Sequence, residues 1–414
     1  MKNWEKIKLG DLCEVITKGT TPTSIGYNFT DSGIKFIKVE SLTESGEIIP
    51  NKVAYIDEAC HQALKRSQLK KNDILFSIAG ALGRIGIVKE DILPANTNQA
   101  LAIIRLKKDS NAIVEFIAKY FNSNIVTDEI EKLRIGAAQQ NLSLTQLNNL
   151  FVPLPPLPEQ QRIVSILDEA FAAIAKAKAN AEQNLKNAKE LFESYLQGVF
   201  ENGKWETKKW GELCDFVRGP FGGSLKKNVF KESGYVVYEQ KHAIHDHFNQ
   251  LRYFIDEEKF NEMKRFEVFP GDIIMSCSGV TLGRVAVVPD GIPKGIINQA
   301  LLKLTPKKNV NVHFIKHWLR SSIFQKIIFD YSGGAAIPNV PSAKILKDIK
   351  IPCPSLKEQE RIVMEIEIVL NESKRLEGIY QRKIDDLEEL KKSILQKAFA
   401  GELKTENKFE YVSR

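Results

Sequence analysis

PLPPLPEQQRIVSILDEA (residues 153–170) and IPCPSLKEQERIVMEI (351–366) decide the fold, because each closes one kind of structure and opens another. The proline runs end whatever precedes them, since proline can neither extend a strand ladder nor sit inside a helix. Pro158 then suits a first helical turn, with Glu159 near the positive helix end. Ser355 and Glu358 have the spacing of a capping box. Downstream, apolar residues fall at Ile163, Leu167, Ala170, Ile174, Ala177, Ala181, Leu185, Ala188, Phe192, Tyr195 and Val199. The second copy gives Ile362, Ile366, Val369, Ser373, Leu376, Tyr380, Ile384, Leu387, Lys391, Ile394 and Ala398. Steps of three and four alternate, with one four-residue stutter at the same place in both, as in a heptad seam. Ser373 and Lys391 interrupt the apolar pattern. The spacing predicts two long helices, over 153–202 and 352–403, each a rod of roughly 65 Å. The simplest partner for each seam is the other helix, giving an antiparallel intramolecular coiled coil. Packing on the helix's own domain, or pairing with another chain, are the alternatives.

Working outward, the rest of the chain is also written twice, at a period of about 200 residues. WEKIKLGDLCEVI (4–16) returns as WETKKWGELCDFV (205–217), and NDILFSIAGALGRIGIV (72–88) as GDIIMSCSGVTLGRVAVV (271–288). TNQALAII (97–104) returns as INQALLKL (297–304). The runs LGDLCEVI, GIKFIKV, DILFSIA, RIGIV and ALAIIRL read as strands between turn residues. Helices are predicted over 111–124 and 310–328. Gly80, Gly83, Gly279 and Gly283 sit between strand-like runs, so they suit hairpin turns better than a nucleotide cradle. The fold class is therefore α+β, a pseudo-two-fold repeat of globular domains over 1–152 and 203–351, with a tail over 404–414.

Hydrophobic residues make up 43% of the 414 and charged residues 27%, which fits a globular chain and argues against disorder. The formal charge of +7 is compatible with a polyanionic partner, but 59 basic residues face 52 acidic ones, so charge alone does not establish one. Cys13, Cys60, Cys214, Cys277 and Cys353 are scattered singly, which suits reduced, buried thiols better than a disulfide framework or a zinc site. No apolar run of about 18 residues could span a membrane, and no secretory leader is visible, so the expected location is cytoplasmic.

The two proline-to-EQxRIV segments, the DIL-type segments at 73–84 and 272–284, and SILQKAFAGEL (393–403) together resemble the specificity subunits of type I restriction-modification systems over essentially the whole chain. The resemblance implies two target-recognition domains, each reading one half of a split, asymmetric site in double-stranded DNA. It implies that the helix pair spaces the halves and docks two adenine methyltransferase subunits, with restriction subunits added in the full complex. It implies no catalysis and no cofactor in this chain, with S-adenosylmethionine, ATP and Mg expected only in the partners. A coiled-coil scaffold binding only protein, or a metal-dependent nuclease, are the competing readings.

Candidate DNA contacts are polar and basic residues in segments that differ between the halves: Lys18, Thr20, Thr21, Thr23, Lys38, Arg84, Arg134, Gln139 and Gln140 in the first, and Arg218, Ser224, Lys226, Lys227, Lys241, His242 and Arg284 in the second. Long cations suit phosphates, and Arg and Gln can form two hydrogen bonds to one base edge. Arg84 and Arg284 share a repeat position, so either could instead satisfy a turn. The run HAIHDH (242–247) lacks a distant ligand set for a metal, and Glu239 with Lys241 and Asp215 is a loose echo of nuclease sites not kept in the first half. His313 and His317, without an HExxH glutamate, read as an ordinary helix face. Neither a phosphate-binding P-loop nor an amino-methyltransferase motif is present.

Overall fold

The computed structural model describes residues 4–43, 46–134, 141–221, 223–279, 281–331 and 339–403. The chain forms two compact units, Met1–Ala181 with Arg382–Arg414, and Glu182–Gln381. Each unit thus holds one globular repeat and a portion of each long helix, Leu157–Asn202 and Leu356–Phe399. The fold is α+β, as the sequence predicts.

In the first unit the strands Cys13–Lys18, Leu101–Leu106, Ile74–Ser77 and Ile85–Ile87 form an antiparallel sheet in that spatial order. A second sheet pairs Ile34–Ile37 antiparallel with Ala54–Ile56 and parallel with Ala95–Thr97. Glu5–Lys8 pairs with Phe151–Leu154, bringing the first strand beside the start of the long helix. The second unit repeats this plan with Cys214–Arg218, Leu301–Pro306, Ile273–Ser276 and Val285–Val287, then Phe254–Ile255, Tyr235–Tyr238 and Gly295–Ile297, then Thr207–Lys209 with Lys350–Pro352. The hairpin glycines all have positive φ, from 74° at Gly80 to 83° at Gly83, the backbone region that lets the chain reverse there.

The recurring motifs turn out to be structural clamps. Asp73 of the first DIL segment is buried, accepts the Lys70 amide at 2.7 Å and takes a bidentate pair from Arg105. Asp272 accepts the Phe269 amide at 2.8 Å and the Thr305 hydroxyl at 2.5 Å. The glutamine of EQxR is fully buried in both copies. Gln160 accepts the Ile113 amide at 2.9 Å and donates to the carbonyls of Asn111 (2.7 Å) and Pro155 (2.8 Å). Gln359 accepts the Asn311 amide and donates to Pro354 O, each at 2.8 Å. The glutamate and arginine of the motif form a bidentate pair on the helix surface, Glu159 with Arg162 and Glu358 with Arg361. Replacing Gln160 by Leu keeps the volume but strands one buried N–H and two carbonyls; a loss of about 2–3 kcal/mol is expected in chemical denaturation. An unchanged denaturation midpoint would show that the clamp contributes nothing.

Long-helix packing is antiparallel within each unit. In the first, Ile163 and Leu167 share a core with Leu395, Ala398 and Phe399, and Lys178 meets Glu388 at 2.6 Å. In the second, Leu196 and Phe200 share a core with Ile362 and Ile366, and Ser373 donates its hydroxyl to Ala188 O at 2.6 Å. That bond explains the serine in the seam: it is buried beside the small Ala188 and uses a carbonyl of the facing helix. Lys391 places its ammonium over the Phe171 ring, 5.2 Å from the centroid, a cation–π contact in place of an apolar one. Ile174 and Ile384 are buried in the seam, while Leu185, Phe192, Val369, Leu376, Tyr380 and Leu387 are half-buried.

Three expectations need correction. At the helix ends Leu196 and Leu395 are buried, one position beyond the predicted Tyr195 and Ile394, which are only partly buried; Phe200 is buried beyond the half-buried Val199, whereas the predicted Ala398 is fully buried together with its neighbour Phe399. There the helices turn their apolar stripe toward a globular core. The single helices predicted over 111–124 and 310–328 are Val114–Phe121 followed by Asn124–Arg134, and Val312–Arg320 followed by Ser322–Tyr331. Buried Ser123 and Ser321 break them, each bonding the carbonyl three residues back. His317 is not on an open face: it is buried, with Nε2 at 3.0 Å from Glu367 Oε1, and burial pushes its pKa down to about 4 against the pull of that carboxylate.

Candidate nucleic-acid interface

The parallel pairing of Ile34–Ile37 with Ala95–Thr97 makes both strands end at one edge of the first unit, and the Thr97 hydroxyl bonds Ile37 O there. Strand Cys13–Lys18 delivers a third chain segment to the same edge. Gly19 donates to Leu101 O at 3.3 Å and Thr20 to Thr97 O at 3.1 Å. A Cβ on Gly19 would lie 2.0 Å from Thr97 O, so only glycine permits the approach. Asn98 closes the next turn by accepting the Ala100 amide at 3.1 Å, leaving Gln99 exposed beside the Thr21 hydroxyl, which bonds its Oε1. Ile78 N bonds Ala100 O, and Leu142 N bonds Ile78 O, tying in two further loops.

Four predicted residues therefore meet at this edge: Lys18, Thr20, Thr21 and Lys38. Lys38 is half-buried, its ammonium 4.3 Å from the centroid of the Phe29 ring. Thr23 is exposed in the short helical turn Pro22–Ile25. Arg84 is half-buried in the hairpin, where its carbonyl accepts the Ser77 amide at 2.7 Å. Gln139 and Gln140 lie outside the described residues, as does the side chain of Arg134.

The second unit builds the same edge from different side chains. Gly219 donates to Leu301 O at 2.9 Å, and a Cβ there would meet Asn298 O at 1.9 Å. Asn298 donates to Tyr238 O and accepts the Ala300 amide, again presenting an exposed glutamine, Gln299. Gln240 fastens the next loop through Ser276 Oγ and Ser278 O, both at 2.6 Å. Arg218 is half-buried at the foot of the loop, its Nε without an acceptor among the described residues. Its charge opposes the burial that pushes the Cys277 thiol up to about 12. Ser224 is spent locally, donating to Phe221 O at 2.8 Å, whereas Lys226 and Lys227 are exposed. Lys241 is half-buried and pairs with Glu239 at 3.4 Å; Arg284 is exposed next to Gly283.

His242 is a correction. It is fully buried: Nδ1 accepts the Glu239 amide at 2.9 Å, and Nε2 faces Gln250 O at 3.3 Å, which fixes the Nε2–H tautomer. Desolvation lowers its pKa, so it is a neutral post inside the loop and not a hand offered to DNA. Its neighbour Asp246 is held by Lys316 at 2.7 Å and Arg320 at 3.2 Å. Those cations occupy the carboxylate that a metal would need, and among the described residues no three His, Cys, Asp or Glu groups converge on one point. Burial also pushes the Cys13 and Cys214 thiols up to about 12, far from the thiolate a nucleophile requires.

Gln99 and Gln299 are not among the residues that sequence reasoning singles out, although the repeated NQA triplet is the available signal. The triplet reads only as the start of a strand, because nothing in its composition distinguishes a turn that exposes its middle residue.

Comparison with known proteins bears on the two repeats as wholes. The family described as "Type I restriction modification DNA specificity domain" matches residues 1–186 and again 202–412. The type I restriction enzyme MjaVIII specificity subunit of Methanocaldococcus jannaschii is 22% identical over 98% of this chain and 94% of its own length. The type I restriction enzyme EcoBI specificity subunit of Escherichia coli is 34% identical over 45% of this chain, a match spanning only 39% of that protein. In fold, the chain is similar to one in a structure described as the basis of complex assembly and conformational transition of the type I R-M system, with TM-score 0.79, 20% identity and coverage of 97% and 99%. It is also similar to the HsdS subunit from Thermoanaerobacter tengcongensis, with TM-score 0.64, 19% identity and coverage of 97% and 98%. With both repeats matched by one family and each carrying the same loop edge, the chain belongs to the type I restriction-modification DNA specificity family.

Proposed function

We propose that this chain is the DNA sequence-specificity subunit of a type I restriction-modification complex. Each loop edge reads one half of a bipartite, asymmetric site in double-stranded DNA. The long helices set the gap between half-sites and dock two adenine methyltransferase subunits, and restriction subunits complete the assembly. The chain itself catalyses nothing; S-adenosylmethionine, ATP and Mg belong to its partners. No described helix is long and apolar enough to cross a membrane, and the expected setting is the cytoplasm, where the DNA is.

One observation carries this reading: the same backbone edge is built twice, but Lys18-Gly19-Thr20-Thr21 in one copy is Arg218-Gly219-Pro220-Phe221 in the other. A repeated frame with exchanged side chains is what two readers of different sequences need. A protein-binding scaffold gives no reason for glycines that bring two loops into backbone contact in each unit. The proposed domain division, with recognition domains over 1–152 and 203–351 and a helical spacer after each, over 153–202 and 352–403, follows from the same repeat.

Replacing Arg218, Lys226 and Lys227 together by alanine is expected to weaken duplex binding and flatten its dependence on salt, by roughly one unit of logarithmic slope for each phosphate no longer neutralised. Binding isotherms at several salt concentrations measure this. Identical slopes would remove the loop from the interface. Assembly with methyltransferase subunits, followed by mapping of methylated adenines on random DNA, tests the reading as a whole: a split motif is expected, and a protein-only scaffold yields none.

A further inference from the structure

Phe221 is 72% exposed, more than any other large apolar side chain described. Isolated exposed apolar residues are ordinary on protein surfaces, so exposure alone carries nothing. Its setting is not ordinary. The loop begins at Gly219, pressed against Asn298 O, and the Ser224 hydroxyl bonds the Phe221 carbonyl, so the backbone beneath the ring is held. Arg218, Lys226 and Lys227 bracket it, which suits a polyanion and would repel a cationic partner. Two other exposed aromatics on this chain are attended by cations: Lys38 lies over Phe29 and Lys303 lies 5.6 Å from the Phe269 centroid. No ring or cation lies over Phe221 among the described residues. In the first unit the matching position is Thr21, whose hydroxyl is committed to Gln99. Phenylalanine cannot make that bond, so the second unit presents an apolar ring and an exposed Gln299 amide where the first presents a Thr–Gln pair.

We infer that Phe221 is a specificity-determining residue of the second recognition domain, making apolar contact with a base in the bound duplex. The inference rests on the proposed DNA-reading function. Rings of this kind contact the thymine methyl in the major groove or wedge against a base step, and both reward some base pairs over others. A lysine reaching only the phosphates from this position would instead bind every sequence alike.

The test uses the full chain assembled with its methyltransferase subunits, mapping methylated adenines over random DNA for the wild type, Phe221→Ala, Phe221→Leu and Phe221→Thr. The Ala and Thr variants should lose roughly tenfold discrimination at one or two adjacent positions of one half-site. The other half-site should be unchanged, and Leu should retain part of the preference. Because the ring is exposed, all variants should melt as the wild type does. An unchanged motif at unchanged rate overturns the inference. A uniform drop over all sequences also overturns it, since the loop would then support binding without reading. Absence of any split motif in the wild type sinks the proposed function itself, a result distinct from either.

Discussion

Replacing Phe399 by alanine is expected to destabilise the first unit by about 4 kcal/mol, close to the upper range for a buried aromatic. Phe399 is 5% exposed and lies edge-on to Phe116 (5.3 Å between centroids) and Tyr120 (5.2 Å). Both belong to helix Val114–Phe121, itself clamped through Gln160. Alanine removes the transferred ring area, leaves a cavity walled by rigid helices, and forfeits two edge-to-face contacts. Chemical or thermal unfolding should show it, with a drop in melting temperature of roughly 10 °C. The same change at Phe200, which meets Phe314 (5.6 Å) and Trp318 (5.1 Å), should act alike on the second unit. A loss below about 1 kcal/mol would show that the helix end is not seated on this core. The energy matters for assembly, because these rings fasten the last turn of the C-terminal helix to a domain whose sequence began almost 400 residues earlier.

This contact also shows where sequence reasoning stops. The heptad seam is legible because each helix buries a stripe along its length, and the stripe repeats in the letters. The step from Tyr195 to Leu196, and from Ile394 to Leu395, is not. At those turns the burying surface is the facing helix joined by the helices Val312–Arg320 and Val114–Phe121, whose direction is a tertiary fact. Ser373 looks like a defect in the sequence, and only the facing Ala188 carbonyl makes it a partner. At the loop edges proposed to face DNA the limit is different. Lys18, Thr21 and Arg218 can be named from chemistry and repeat divergence. His242 cannot be excluded that way, because nothing in HAIHDH says which histidine turns inward to bond backbone. The glutamine of EQxR is legible as a signature but not as a clamp, since its three bonds go to backbone groups around 48 residues away and at the helix entry.

Inserting four residues into each long helix, beside the existing stutter near Ala177–Ala181 and Leu376–Tyr380, is expected to lengthen the gap of the methylated motif and leave both half-sites intact. Four residues add about 6 Å of helix, and duplex DNA rises 3.4 Å per base pair, so the gap should grow by one to two pairs. Four residues also rotate a helix by about 40° past a full turn, of the same order as the twist of one added base pair, so the two readers keep approximate phase with the groove. The seam already tolerates one such step in both helices, so the insertion repeats a feature the packing accommodates. Insertion into only one helix should instead shear the pair and abolish methylation, because the Lys178–Glu388 pairing on one side of the insertion and the Ala188–Ser373 pairing on the other could not both be kept in register. Methylome mapping of cells carrying each variant measures the outcome. A constant gap with both helices lengthened would mean that the spacing is set elsewhere, by the partner subunits or by the DNA, and the helices would then be docking surfaces without a measuring role.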